Sequence, residues 1–337
     1  MKAIAIDRCG GPDVLELREV SLPEPAEGEV RIRVHTAGVN FGDTVVRAGG
    51  APIEIPFPLI PGSEVVGVVD CLGPGVEGIP LGSRVAGPLF LAGRLGGGYA
   101  EYATIPADLL VPLPEDIQEG QAATLLLQGL TALLLLRQTP VQGKTVLVHA
   151  AAGGVGSLAL QLARLRGASA VIATAGSEEK LALASRLGAT SVVNYRDRDW
   201  PEKVRAALDG HGPGIIFDSV GGEVRRQSLE LLAPLGVLVL YGGSVGGGYA
   251  SDHLEAAQVA QLMMQSQSVT GFSLWPLLSD RATIRNLTND CYAELFALVQ
   301  SRQLETVIGT PYPLADAREA HRSLEARETI GKILLQP

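Results

Sequence analysis

The sequence predicts an α/β protein in two parts, a β-rich unit and a doubly wound sheet of six parallel strands. Three observations carry this. A chain of 337 residues, 46% of them hydrophobic, exceeds what one core usually organises. Residues 1 to about 115 are rich in Gly, Pro and Val, with short alternating runs such as Glu29–Val34 and Glu64–Val69, the texture of strands joined by turns. From about residue 120 to 275, apolar strand-like runs alternate with helical ones, the order that builds a parallel sheet.

In order, Met1–Ile6 alternates as a strand and is followed at once by Asp7 and Arg8, which leaves no apolar core for a signal peptide. The longest apolar tract, Ala122–Leu136, is interrupted by Gln128, Gly129 and Thr131. It is too short to cross a bilayer and reads as a buried helix between the two parts. The parallel strands are expected at Thr145–His149, Ala170–Thr174, Ser191–Asn194, Gly214–Asp218, Val237–Tyr241 and Ser268–Leu274. A polar helix near Asn289–Ser301, another near Leu314–Ala326 and a closing strand Gly331–Leu335 complete the chain, with that strand docking on the N-terminal β unit. The division is therefore 1–120 with 276–337 for one domain and 121–275 for the other.

Composition excludes several classes. The formal charge is −9, without a Lys/Arg run, which argues against nucleic acid as a partner while leaving room for a local basic pocket. Cys9, Cys71 and Cys291 are odd in number and far apart, supporting neither a disulfide framework nor a local zinc knuckle, and a reducing cytoplasm fits them.

The chemistry begins where the strand Thr145–His149 breaks into Ala151–Gly156 (AAGGVG) and then the apolar-faced helix Ser157–Leu165. Such a turn aims backbone N–H groups at a pyrophosphate: Gly153 admits the phosphates and Gly156 lets the helix lie close on the strand. Ala151 replaces the first glycine of the G-x-G-x-x-G fingerprint, so the match is incomplete. NAD-binding units carry an Asp or Glu about 20 residues on, for the ribose hydroxyls. Here that strand leaves through Ala175, Gly176 and Ser177, with Lys180 one turn later. A hydroxyl, helix N–H groups and an ammonium suit a 2′-phosphate, which favours NADPH. The alternative is that Ser177 only N-caps the helix Glu178–Arg186 and Lys180 lies in solvent.

These residues, with Ala37–Asp43 (AGVNFGD), Pro61–Glu64 (PGSE), Gly97–Glu101 (GGYAE), Gln128–Ala132 (QGLTA), Phe217–Gly222 (FDSVGG) and Gly331-Lys332, resemble the medium-chain dehydrogenase/reductase superfamily. Within it the chain is similar to the zinc-free, zeta-crystallin-like quinone oxidoreductases. The resemblance implies a GroES-like β domain interrupted by a Rossmann domain, an active site in the cleft between them, and homodimers formed through the sheet edge Ser268–Leu274. Relatives that hold catalytic zinc differ by a Cys in place of Asn40, a His in place of Ser63 and a Cys near Leu127 or Gln128, and by four cysteines in the lobe corresponding to Pro88–Gly98; no metal is expected here. Glu64 then reads as structural.

What this family implies is hydride delivery from NADPH to a carbon made electrophilic by conjugation, in a quinone or enone. Asn40 would sit beside the nicotinamide ribose and the substrate carbonyl and donate to oxygen, and Asp43 would cap or orient the same loop. The plain alternatives are an Asn bonded to its own backbone and an N-cap ahead of Thr44–Arg47. The cofactor set carried over by position is Asn40, Thr131, Gly153, Gly154, Val155, Gly176, Ser177, Lys180, Tyr195, Ser219, Gly242, Gly243, Ser244, Phe272, Ser273, Leu274, Arg327 and Lys332. Of these, Thr131 would face the nicotinamide, Tyr195 the 2′-phosphate, Gly242 and Gly243 the nicotinamide half, and Phe272–Leu274 the carboxamide. Arg327 and Lys332 would approach from the closing segment, although Tyr195 also reads as a packed strand end and Lys332 as a surface charge. Tyrosines that relatives carry after the Asn are replaced by Val45, Val46 and Gly50–Pro52, so the finishing proton comes from solvent and the pocket is roomy.

Three rival readings remain. Gly242–Gly246 (GGSVG) matches a hydrolase elbow, with Asp252 and His321 as nominal partners, but no helix follows directly. The fold also serves non-catalytic NADPH-binding proteins of crystallin or trafficking type. Enoyl-thioester reduction uses the same hydride geometry with another acceptor.

Overall fold

The computed structural model describes residues 1–51, 54–244, 255–276 and 281–337. Pro52, Asp252 and the end of the glycine cluster from Val245 onward lie outside the described residues. In chain order the strands are β1 (Lys2–Ala5), β2 (Glu16–Glu19), β3 (Glu29–Val39), β4 (Val65–Leu72), β5 (Arg84–Gly87), β6 (Tyr102–Pro106), β7 (Val111–Pro112), β8 (Thr145–Val148), β9 (Ala170–Ala175), β10 (Ser191–Asn194), β11 (Ile215–Asp218), β12 (Val237–Leu240), β13 (Ser268–Gly271), β14 (Tyr312–Pro313) and β15 (Ile333–Gln336). The α-helices are α1 (Phe41–Ala48), α2 (Glu119–Thr124), α3 (Leu130–Gln138), α4 (Gly154–Leu165), α5 (Glu178–Arg186), α6 (Trp200–Ala206), α7 (Gly222–Leu231), α8 (Ala256–Gln265), α9 (Arg281–Gln300) and α10 (Ala317–Glu325).

The chain forms two compact units, Met1–Leu130 with Leu274–Pro337, and Thr131–Ser273. The first is built on a mixed sheet ordered β14-β15-β3-β4-β5-β7, with β6 also on β3. Long β3 alternates buried and less buried residues as far as Thr36, as a strand with one face on a core must, and its last residues, Ala37–Val39, are all buried. Ile4, Ile32, Val65, Val85, Leu89, Ile105 and Leu335 fill that core. The closing strand docks where expected: β15 pairs antiparallel with β3, Ile333 opposite Val39 and Leu334 opposite Gly38.

The apolar tract is one run of helix, longer than the sequence indicated. Its 20 residues, Glu119–Gln138, have the length and hydropathy of a membrane span, so length does not exclude one, but 78% of the window is buried and it is a core helix. Its centre, Leu125–Gly129, is a π turn, the kind of widening that recurs at functional sites. Helix α9 is also longer than the expected Asn289–Ser301. Its early turns alternate polar and apolar residues too evenly to stand out from a loop, and buried Ile284 and Thr288 anchor them.

The second unit is a six-stranded sheet ordered β10-β9-β8-β11-β12-β13, every pairing parallel. The order reverses between β8 and β11, which makes the carboxyl ends of these two strands the topological switch point. Leu147, Ile172, Ile216, Leu238 and Trp200 pack its core. His149, at the end of β8, is fully buried beneath the glycine turn. Its Nε2 lies 2.8 Å from Ser228 Oγ, its Nδ1 2.7 Å from Thr174 Oγ1, and its ring meets Trp200 edge-on. Burial holds its pKa down at about 4 against a weaker opposing pull from Asp218.

Candidate active site

In the second unit, the crevice at the topological switch point is built from strand ends. Ala150 leaves β8 with φ of 49°, and Gly153 N-caps α4 with no side chain of its own to satisfy the first-turn N–H groups. A Cβ at Gly156 would stand 2.3 Å from Ala150 O, so only glycine lets α4 lie this close on β8. Gly154 and Val155 fill the first turn. Across the switch point, Ser244 N–H donates to Ser219 O at 3.1 Å, and a Cβ on Gly242 would meet Ser219 at 3.1 Å. Buried Asp218 fixes that loop by accepting from the N–H groups of Val220 (2.7 Å) and Gly221 (3.2 Å) and from Arg225 (2.6 Å), and Arg225 also donates to Gly242 O at 2.6 Å. Phe272 N–H donates to Leu240 O at 2.8 Å, which brings the backbone beyond β13 to the end of β12.

At the end of β9 the structure gathers more than the sequence reading did. Ser177 is the N-cap of α5 and accepts from Lys180 N–H, so the plain capping role is real. A Cβ built on Gly176 would lie 3.1 Å from Tyr195 Oη and 3.0 Å from Arg196 Nε. Gly176, Ser177, Tyr195 and Arg196 thus share one corner, and Arg196 was missed because it opens a run of alternating charges, Arg196–Asp199, that reads as a solvated loop. Glu178 and Glu179 are exposed. Thr131 is buried in the first turn of α3.

In the first unit, the loop from β3 into α1 centres a buried polar chain. Asn40 N–H donates to Asp43 Oδ2 at 2.8 Å, the returning half of a capping box. The Asn40 side chain is not turned onto its own backbone. Its Nδ2 donates to Ser63 Oγ at 3.1 Å and Glu64 Oε1 at 2.9 Å, and its Oδ1 accepts from Lys332 Nζ at 2.7 Å. Lys332 is fully buried and paired with Glu64, also fully buried, so it is no surface charge. Glu64 Oε2 accepts from Leu127 N–H at 2.9 Å, out of the π turn. On that turn Gln128 Oε1 is buried without a partner among the described residues. Arg327 is partly buried with φ of 60°.

The chain continues through residues that sequence reasoning did not place in this site. Tyr99 Oη donates to Asp43 Oδ2 at 3.2 Å and lies 3.0 Å from His321 Nε2, while Arg47 NH1 lies 3.3 Å from His321 Nδ1 and its NH2 2.5 Å from Glu325. A guanidinium only donates, so His321 accepts at Nδ1, carries its hydrogen on Nε2 and passes a donor to Tyr99, which passes one to Asp43. Burial and the neighbouring Arg47 charge push His321 down to about 3, keeping it neutral. Burial also pushes Asp43 up to about 6, against hydrogen bonds from Asn40 N–H and Ser63. His321 is thereby committed to this chain and not to a hydrolase triad. Tyr99 lies in a motif the sequence reading used, which was the available signal for it.

The N-terminal region, residues 26–115, matches the alcohol dehydrogenase GroES-like domain, and residues 154–289 match the zinc-binding dehydrogenase family. A quinone oxidoreductase of Pseudomonas aeruginosa is 36% identical, the match covering 100% of this chain and 99% of that protein. The chain belongs to the quinone oxidoreductase group of the medium-chain dehydrogenase/reductase superfamily. A 2-haloacrylate reductase of a Burkholderia species is 35% identical across 99% of this chain and 98% of its own. The Escherichia coli quinone oxidoreductase, solved in complex with NADPH, superposes with a TM-score of 0.88 at 35% identity over 100% of both chains.

Proposed function

We propose that this protein is an NADPH-dependent reductase that delivers a hydride to quinones or α,β-unsaturated carbonyl compounds without zinc, as a cytoplasmic homodimer. The observation that carries it is the corner at Gly176, where Ser177, Tyr195, Arg196 and a helix N-terminus meet at the end of a strand that lacks the ribose-binding acid. A guanidinium, a phenol and helix N–H groups form a cradle for a 2′-phosphate. The bare N-terminus of α4 and Gly156 fit a pyrophosphate in the same way.

When bound, the reduced nicotinamide supplies the hydride. The chain's own residues orient the acceptor. Asn40 has one N–H, the longer bond to partly exposed Ser63, that can turn to a substrate oxygen as charge develops there. Asp43 holds the Asn40 backbone, and the finishing proton comes from solvent. Zinc is disfavoured by the donor set, an amide and a hydroxyl, and by the Lys332 ammonium 2.7 Å from Asn40 Oδ1, which repels a cation. Dimerisation is supported by β13, which among the described residues is a sheet edge paired only with β12, and by α8 beside it in sequence, which exposes Met263 and Met264.

The test follows NADPH oxidation with a bulky quinone, a short enone and an enoyl-CoA. Turnover of the quinone at least as fast as the enone, and none of the enoyl-CoA, is expected. Tight NADPH binding with no acceptor reduced would instead indicate a binding protein, and stoichiometric zinc by elemental analysis would overturn the zinc-free mechanism.

A further inference from the structure

We infer that Lys332 is a positioning residue for hydride transfer, fixing which atom of the Asn40 amide faces the acceptor. This rests on the reading that Asn40 meets the acceptor's oxygen. An Asn amide presents oxygen at one end and N–H groups at the other, and only the N–H end favours a developing negative charge; flipped, it repels it. An ammonium has no acceptor, so its contact with Asn40 admits a single orientation, oxygen toward Lys332 and nitrogen toward Ser63 and Glu64. The same contact draws electron density toward Oδ1 and strengthens Nδ2–H as a donor.

The fold is arranged to place this ammonium. Gly331, at φ of 65°, turns the chain so that Lys332 N–H donates to Val307 O at 2.8 Å and Gly309 N–H to Lys332 O at 2.8 Å. Lys332 then precedes Ile333, which pairs with Val39, the neighbour of Asn40. Gly38 supplies the room: a Cβ there would stand 2.2 Å from Glu64 Oε1 and 2.6 Å from Lys332 Cε. Its backbone is ordinary strand, so the glycine serves the ion pair and not a turn. Glu64 neutralises the ammonium and accepts the inward Asn40 N–H, leaving the Ser63-directed one as the hydrogen available outward.

The experiment compares wild type with Asn40→Ala, Lys332→Met/Glu64→Gln and the triple variant, reading kcat for a quinone and NADPH affinity by fluorescence quenching. The paired change avoids burying an uncompensated carboxylate, and circular dichroism verifies the fold. We expect kcat at saturating NADPH to fall about 10- to 100-fold in K332M/E64Q, whatever the change in NADPH affinity, and no further fall when the pair is changed on top of N40A. G38A, which keeps every charge but crowds the pair, moves kcat the same way. Wild-type kcat in K332M/E64Q, or losses that multiply on the N40A background, overturn the inference. Full activity in N40A alone sinks the prior reading of Asn40, and is distinguishable because it needs no Lys332 variant.

Discussion

Buried His149 gives a quantitative prediction about acid stability. The Ser228 hydroxyl already donates to Val224 O at 2.6 Å, so it accepts from His149 Nε2–H, and Nδ1 accepts from Thr174. Protonation would put a hydrogen on Nδ1 and break that arrangement. With 6.5 for the ordinary ring and about 4 in the fold, the unfolded chain binds more protons between these values. The stability due to the neutral ring is therefore complete above 6.5 and lost as pH falls to about 4, a change of about 3 kcal/mol. His149→Gln keeps a donor for Ser228 but gives up the Thr174 bond, costing about 1 kcal/mol at all pH values, and it does not titrate. The variant is thus less stable than wild type at about pH 8, equal near pH 6 and more stable by about 1 to 2 kcal/mol near pH 4.5. His321, also held low, and Asp43, held high so that its effect runs in the opposite sense, titrate in both proteins and cancel in the difference. Urea titrations followed by Trp200 fluorescence in a Trp275→Phe background read the unit that holds the ring. Parallel stability curves for the two proteins from pH 8 to 4.5 would refute the reasoning.

Other tests bear on function. Asp43, raised to about 6, loses an acceptor site as it protonates, so kcat/KM should fall below that pH; Asp43→Asn should lower kcat about tenfold and abolish the acid limb, and an unchanged limb would show another group titrating. Arg196→Ala should raise KM for NADPH about 10- to 100-fold while leaving NADH kinetics alone, and equal losses with both nucleotides would place Arg196 away from the 2′-phosphate. Met263→Lys/Met264→Lys, at two side chains 76% and 82% exposed, should shift the molecule to monomers in light scattering, and an unaltered mass would move the interface elsewhere.

The parallel strands were legible because each is an apolar run bounded by turn residues, and five of the six expected runs end within one residue of the observed strands, the last being shorter at Ser268–Gly271. Helix α9 was half legible for want of an apolar stripe in its first turns. At the site, Asn40 and Asp43 were legible because they lie three residues apart, at the N-cap and in the first turn of one helix. The rest of their chain was not: Tyr99, His321 and Glu325 come from as far as 278 positions away from Arg47, and no local pattern relates them. A lysine near the C-terminus likewise reads as solvated until the register of β15 on β3 is known.

The widened turn at Leu125–Gly129 has a structural corollary. It holds one residue more than a regular spiral needs at that point, and each residue in an α-helix rotates the chain by about 100°. Deleting a single leucine there would let the spiral close up into regular α geometry, with the turns on either side near their present phase. The Leu127 amide, which now leaves the spiral to hold Glu64, would point along it instead. One surplus residue thereby frees a backbone amide for the carboxylate, and a length change of one at this spot is far less tolerable than a conservative exchange of side chains.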